Sequence, residues 1–210
     1  ILNGIDTERS QSQLGKGEAR ERLQLPVRAK VLVTIGRLVE QKGHTILLQA
    51  LQQLRQQGGE EIYAVLVGDG PWRQRLQGQA QALGLEQNIR FLGTRTDIGD
   101  ILRAADLYVM PSLWEGLGLA LLEGMAAGLP VLASRVGGMV EVLGEGQYGY
   151  LVPANDVNAL AGQLAELLAP GVDLGPMASA AQRRVADFSA SKMVTAIGNV
   201  YAATFASRSR

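Results

Sequence analysis

Residues 111–134, PSLWEGLGLALLEGMAAGLPVLAS, decide how the chain is read. Two acids, Glu115 and Glu123, stand eight residues apart and bracket the glycine run Gly116-Leu117-Gly118. The small and apolar residues 119–127 read as a helix, and the apolar run 129–133 reads as a strand. The order is loop, helix, strand, with one acid ahead of the helix and one early inside it. A helical side chain tilts toward the N-terminus, so Glu123 can look back into the crevice that Glu115 borders. The alternative for Glu123 is an acid on a helix face favoured by the dipole. Its neighbours Leu121, Leu122 and Met125 argue against a solvated face.

The same unit recurs on both sides of this stretch. The β-branched run 30–35 reads as a buried strand ending at Gly36, and after Gln41-Lys42 a helix opens at Gly43. Ile46, Leu47, Ala50, Leu51 and Leu54 give that helix an apolar face at the 3.6 period, and Gly58-Gly59 stops it. Residues 62–67 read as a strand, Gly68-Asp69-Gly70-Pro71 as a turn, and 72–83 as a helix with Pro71 at its first position. Further strands are expected at 88–92, 107–110 and 150–152. Helices are expected at 17–23, 97–104 with Asp97 as cap, 139–143, 156–168 with Asp156 as cap, 177–188 and 190–205. Alternating strands and helices, with strands apolar throughout, predict an α/β fold: a Rossmann-like, doubly wound parallel sheet of about six strands with helices on both faces.

Composition narrows the chemistry. The chain has 210 residues, 47% of them hydrophobic, enough for one packed domain with additional helices. Twenty Lys and Arg balance twenty Asp and Glu, so no basic field points to nucleic acid. The sequence holds no cysteine, which excludes disulfides and thiolate metal sites and permits a reducing compartment. His44 is its only histidine, which excludes zinc sites built on several imidazoles. No apolar run approaches the roughly 18 residues of a membrane span. The opening ILNGIDTERS lacks the order of a signal peptide and reads as an interior point of a longer protein.

In such sheets ligands lie beyond the carboxyl ends of the strands, so the loops after the strands carry the chemistry. The first offers Gly36, Arg37 and Lys42, cations near a helix start where an anion would offset them. Two solvated surface cations are the alternative. The second offers Gly68 in a turn and the third Leu92-Gly93. The fourth offers Glu115 with Gly116, Leu117, Gly118 and Leu119 at a helix N-terminus, whose free N–H groups can receive phosphate oxygens. The fifth is Arg135-Val136-Gly137-Gly138, which suits either an anion or a tight connection. Two acids could also serve glycosidic hydrolysis, given a cleft that this domain alone need not supply. A GxGxxG after the first strand and a Walker A lysine motif are both absent, which counts against an ordinary NAD or P-loop site.

Together these phrases resemble the retaining nucleotide-sugar glycosyltransferases of the group 1 (family 4) type, with the GT-B fold. The matching phrases are NGID (residues 3–6), GRLVEQKG (36–43), LVGDGP (66–71), IRFLG (89–93), the opening stretch, RVGGMVEVL (135–143) and GYLVP (149–153). The resemblance runs in order from residue 3 to about residue 168, and the acid pair with seven residues between is its most specific element. It implies that Arg37 and Lys42 hold the donor diphosphate and stabilise the departing nucleoside diphosphate. Glu123 would bind ribose hydroxyls and Glu115 the hydroxyls of the transferred sugar. Backbone at Gly116, Leu117, Gly118 and Leu119 would contact sugar and phosphate, and backbone at Leu92-Gly93 the base, with Gly36 and Gly68 lining the donor site.

It further implies a nucleoside-diphosphate sugar as substrate, no cofactor and no metal, and retention at the anomeric carbon. Residues 1–28 would be a linker-like lead-in, 29–170 the donor-binding domain, and 171–210 helices that pack back toward an N-terminal acceptor domain preceding Ile1. No role carries over to His44, which is expected at the exposed start of a helix. The implied enzyme is cytoplasmic and works in cell-envelope or polysaccharide biosynthesis, with peripheral contact at the inner membrane face left open for the full-length protein. A sugar-nucleotide epimerase or phosphorylase on the same fold, and a non-catalytic nucleotide-binding module, stay open as alternatives.

Overall fold

A computed structural model describes residues 3–58 and 61–208. Six strands form one parallel sheet: β1 (Lys30–Ile35), β2 (Ile62–Val67), β3 (Ile89–Gly93), β4 (Leu107–Met110), β5 (Val131–Ser134) and β6 (Tyr150–Val152). Their order is β3-β2-β1-β4-β5-β6, so the chain builds outward from β1 one way and then from β4 the other. β1 pairs with β2 over six positions, Lys30 opposite Ile62 through Ile35 opposite Val67, and with β4 through Leu32–Leu107 and Val33–Tyr108. The reversal between β1 and β4 is the switch point at which such sheets open a crevice.

The helices are α1 (Lys16–Arg22), α2 (His44–Gln56), α3 (Arg73–Ala82), α4 (Ile98–Ala104), α5 (Leu119–Ala126), α6 (Gly138–Leu143), α7 (Val157–Leu168), α8 (Gly175–Arg184) and α9 (Ala190–Arg208). Successive strand side chains alternate between faces, so each strand feeds two cores. Leu32, Leu66, Leu107 and Val109 pack under α2, α3 and α7. Val31, Val33, Tyr108, Met110 and Val131 pack under α1, α4, α5 and α6. Covering both faces is why the strands read as unbroken apolar runs. Each Leu removed from water in this way contributes about 1.5–3 kcal/mol.

The doubly wound parallel sheet expected from the sequence is therefore observed, with element bounds within about two residues except at α8 and at the end of α9, which runs to Arg208 where 205 was expected. Three local expectations are corrected. Pro71 does not open α3: the Trp72 N–H donates to the Leu38 carbonyl at 3.0 Å, which holds the turn open until Arg73. Asp97 precedes α4 without capping it, because Arg95 holds its carboxylate at 2.8 and 2.5 Å. The helix expected at 177–188 begins at Gly175 and tightens into a 3₁₀ turn, Val185–Phe188, that buries Phe188. Asp156 caps α7 as expected, accepting from the Ala159 N–H at 2.9 Å. Gly58 ends α2 at φ +75°, while its neighbour Gly59 lies outside the described residues.

Candidate functional site

The five loops at the carboxyl ends of the strands are joined edge to edge. The Gly68 N–H donates to the Gly93 carbonyl at 2.8 Å, tying the third loop to the second. The Gly36 N–H donates to the Val67 carbonyl and the Leu38 N–H to the Asp69 carbonyl, tying the second to the first. Across the switch point the Leu113 N–H donates to the Gln41 carbonyl at 2.8 Å, and Gln41 Nε2 returns a bond to the Trp114 carbonyl at 3.1 Å. The Gly138 N–H donates to the Gly116 carbonyl at 2.7 Å, closing the fourth loop on the fifth.

Glycine makes these approaches possible at two places that matter. Gly43 takes φ +63°, and a Cβ there would lie 1.9 Å from the Pro111 carbonyl oxygen. Any other residue would push the first and fourth loops apart. A Cβ on Gly138 would lie 2.0 Å from the Gly116 oxygen. The Gly137-Gly138 pair thus acts as a close-packing support for the Glu115–Gly116 backbone, the tight-connection alternative for that loop.

The support aims one ion pair across the switch point. Lys42 Nζ donates to Glu115 Oε1 at 2.7 Å and to Oε2 at 3.0 Å. Lys42 is 18% exposed and Glu115 9%, so the pair is largely withdrawn from water and weakly screened. Its alkyl stem lies over Gly36, where a Cβ would press on it at 3.2 Å. The expected anion partner of Lys42 is thus supplied within the chain, by the acid from the opening stretch. Arg37 is exposed, and its side chain makes no hydrogen bond or ion pair among the described residues, although its carbonyl accepts from the Val39 N–H at 2.9 Å. The N–H groups of Gly116, Leu117 and Gly118 likewise donate to no acceptor among the described residues, and those of Leu119 and Ala120 open α5. Gly118 holds φ +74°, and a Cβ there would lie 2.6 Å from the end of the Met139 side chain.

Glu123 is half-buried in α5. Burial pushes its carboxyl above the usual carboxylate range, and the charge of Arg9 offsets part of that rise. Tyr108, wholly buried below the loops, is raised well above an ordinary phenol by burial, then by the charges of Glu123 and, less strongly, Glu115. Both acids therefore act on one phenol, whose hydroxyl reaches the Ile35 carbonyl at 3.5 Å. Gly124 leaves room for that ring, since a Cβ there would lie 2.5 Å from it.

The remaining predicted residues surround this centre. Leu92 and Leu117 turn half-buried side chains to the core and Leu119 stays 44% exposed. Gly93 takes φ +69° beside Arg73 and Asp69. His44 is the correction: it does open α2 but is 1% exposed, directly after Gly43, whose backbone lies against the Pro111 carbonyl. Burial, then the nearby Lys42 charge, lowers its pKa from 6.5 to about 4, so it is neutral at pH 7. Sequence reasoning missed Tyr108, Arg73 and Arg9. Only the polar hydroxyl in an otherwise apolar strand could have signalled Tyr108. Among the described residues no group of three or more His, Asp or Glu could hold a metal ion, and no helix is long and apolar enough to cross a membrane.

The fold and the loop cluster define a Rossmann-like domain whose strand-end loops, with Lys42 and Glu115, meet at the switch point. A family model for glycosyl transferases group 1 matches residues 15–184, and the chain belongs to that family. It is 37% identical over 170 residues to the lipopolysaccharide core biosynthesis mannosyltransferase LpsB of Rhizobium meliloti, covering 76% of this chain and 47% of that protein. It is 36% identical over 179 residues to the D-inositol 3-phosphate glycosyltransferase of Corynebacterium urealyticum, covering 81% of this chain and 42% of that protein. The chain thus spans about half the length of the curated relatives it matches. Among solved GT-B structures, Anabaena HepE in complex with UDP and glucose superposes with a TM-score of 0.85 at 30% identity, covering 96% of this chain and 56% of that one. The C-terminal domain of the group 1 protein LpcC from Francisella tularensis superposes at 0.74 with 25% identity, covering 88% of this chain and 97% of that domain.

Proposed function

We propose that the chain is the donor-binding half of a glycosyltransferase that moves a hexosyl group from a nucleoside-diphosphate sugar to an acceptor with retention of anomeric configuration. The observation that carries the proposal is the Lys42–Glu115 pair spanning the switch point, with Arg37 unpaired beside it and open amides at Gly116–Gly118. A diphosphate carries charge that two cations and a helix N-terminus match. Breaking the anomeric C–O bond leaves further negative charge on the β-phosphate, and Arg37, Lys42 and the amides stand ready to receive it without reorganising.

Glu115 holds Lys42 and keeps acceptor capacity for hydroxyls of the transferred sugar, so one carboxylate aligns sugar and phosphate together. Glu123, half-buried in α5, takes the ribose hydroxyls. Leu92 and Gly93, with Gly36 and Gly68, line the nucleoside end. The donor reading is supported by HepE, a neighbour solved with UDP-glucose at a TM-score of 0.86 and 29% identity. We place the acceptor site in an N-terminal domain of the same protein, needed for turnover, and the enzyme in the cytoplasm with no metal requirement. Product analysis with the full-length protein tests this. Sugar should move to an acceptor with its anomeric configuration unchanged by NMR, and Glu115→Gln should lower kcat more than donor affinity. Transfer to phosphate or inversion would contradict the reading.

A further inference from the structure

We infer that Arg73 reads the donor base and restricts the donor to nucleotides carrying a ring carbonyl, uracil or guanine, in preference to adenine. The inference rests on the donor-site reading above. Arg73 occupies the first position of α3, where the helix dipole disfavours a cation. It is held there from two sides. Nη1 donates to Asp69 Oδ2 at 3.1 Å, and Nη2 donates to the Phe91 carbonyl at 3.3 Å. Asp69 is itself fixed, accepting from the Gly70 N–H at 2.7 Å.

The guanidinium is thereby parked over Gly93: a Cβ on that residue would sit 3.4 Å from Nη1 and 3.9 Å from Asp69 Oδ2. Gly93 leaves that side of the guanidinium uncovered, at the carboxyl end of β3 where the nucleoside is placed. Arg73 is 33% exposed, and its remaining N–H groups have no acceptor among the described residues. A planar fork of donors matches a base edge rich in acceptors, such as guanine O6 with N7 or a uracil carbonyl. Adenine sets an amino donor beside its N7 acceptor, and that amino group opposes the second N–H of the fork. Arg95, the guanidinium on the third loop itself, is already taken in two places by Asp97.

Calorimetric titration of this chain with UDP, GDP, ADP and inorganic pyrophosphate tests the inference, using the unaltered protein and Arg73→Met. UDP or GDP should bind about tenfold more tightly than ADP, and Arg73→Met should remove that margin while pyrophosphate affinity stays within about twofold. The unchanged pyrophosphate arm also shows that the variant is folded around its diphosphate site. ADP binding as tightly as both UDP and GDP, or a margin that survives Arg73→Met, would overturn the inference and leave the donor site standing. Binding of none of the four ligands would overturn the donor-site reading and this inference with it.

Discussion

Two clusters of paired charges sit at opposite ends of the same sheet, and they are built differently. At the amino ends of β1 and β4, Arg20 is 5% exposed and spends Nε on the Ala104 carbonyl, Nη1 on the Val27 carbonyl and Nη2 on Asp106. Asp106 also accepts from the Val31 N–H at 2.7 Å and from Lys16 at 2.6 Å. Nearly every donor and acceptor is consumed, as a buried charge requires. At the carboxyl ends, Lys42 and Glu115 are joined at 2.7 Å, but Arg37 and the Gly116–Gly118 amides beside them are left open. One cluster closes on itself and stabilises the sheet. The other leaves donors without acceptors among the described residues, which is what the proposed donor site requires.

The largest effect that would test this contrast is on stability. Asp106→Ala leaves Arg20 buried without its counter-ion and should cost about 3 kcal/mol in urea unfolding. Nucleotide affinity of the folded fraction should not change. If Asp106→Ala instead altered affinity while sparing stability, the two ends would have been assigned the wrong way round.

A comparable effect depends on pH. His44 is depressed to about 4 from its ordinary 6.5, so between those values the unfolded chain binds a proton that the folded chain does not. Stability is then fully present above pH 6.5 and lost as pH falls toward 4, on the order of 3 kcal/mol. His44→Leu should flatten that part of the profile in thermal unfolding across the window, and an unchanged slope would refute the assignment.

The smallest effect concerns Glu123, whose raised carboxyl runs the opposite way. The folded state holds its proton to higher pH than the unfolded state does, so its contribution falls as pH rises through that interval and stays reduced at neutrality. Glu123→Gln should therefore leave stability at pH 7 unchanged or slightly higher. Donor affinity should fall about tenfold, the worth of a lost charge-assisted hydrogen bond. A variant less stable at pH 7 with donor affinity intact would make Glu123 a structural acid.

The sheet was legible because its strands are unbroken apolar runs separated by glycine turns, a pattern that burial on both faces imposes. Glu115 and Lys42 were legible as charges flanking glycine on loops after strands. Their direct bond was not, because seventy-odd residues separate them and only the strand order brings the loops together. His44 follows the polar pair Gln41-Lys42 and so reads as exposed; its burial comes where the chain closes on itself, next to the Gly43–Pro111 approach, and such tertiary closure leaves no mark in the local pattern. Arg20 sits in a polar helix, Lys16–Arg22, with no mark distinguishing it from the exposed Arg22, and Ala19 and Leu25 of the polar lead-in also enter the core. Long-range partnership of polar groups is where the pattern of one sequence carries least.

Whether Lys42 and Arg37 hold a diphosphate is measured by calorimetric titration of the folded chain with UDP and GDP, beside Lys42→Met and Arg37→Glu. The unaltered chain should bind saturably. Each variant should lose that binding by more than about tenfold, with the unfolding free energy changed by less than about 1 kcal/mol for the exposed Arg37. A folded chain that binds neither nucleotide at millimolar concentration, or variants that bind as well as the parent, would contradict the donor-site reading.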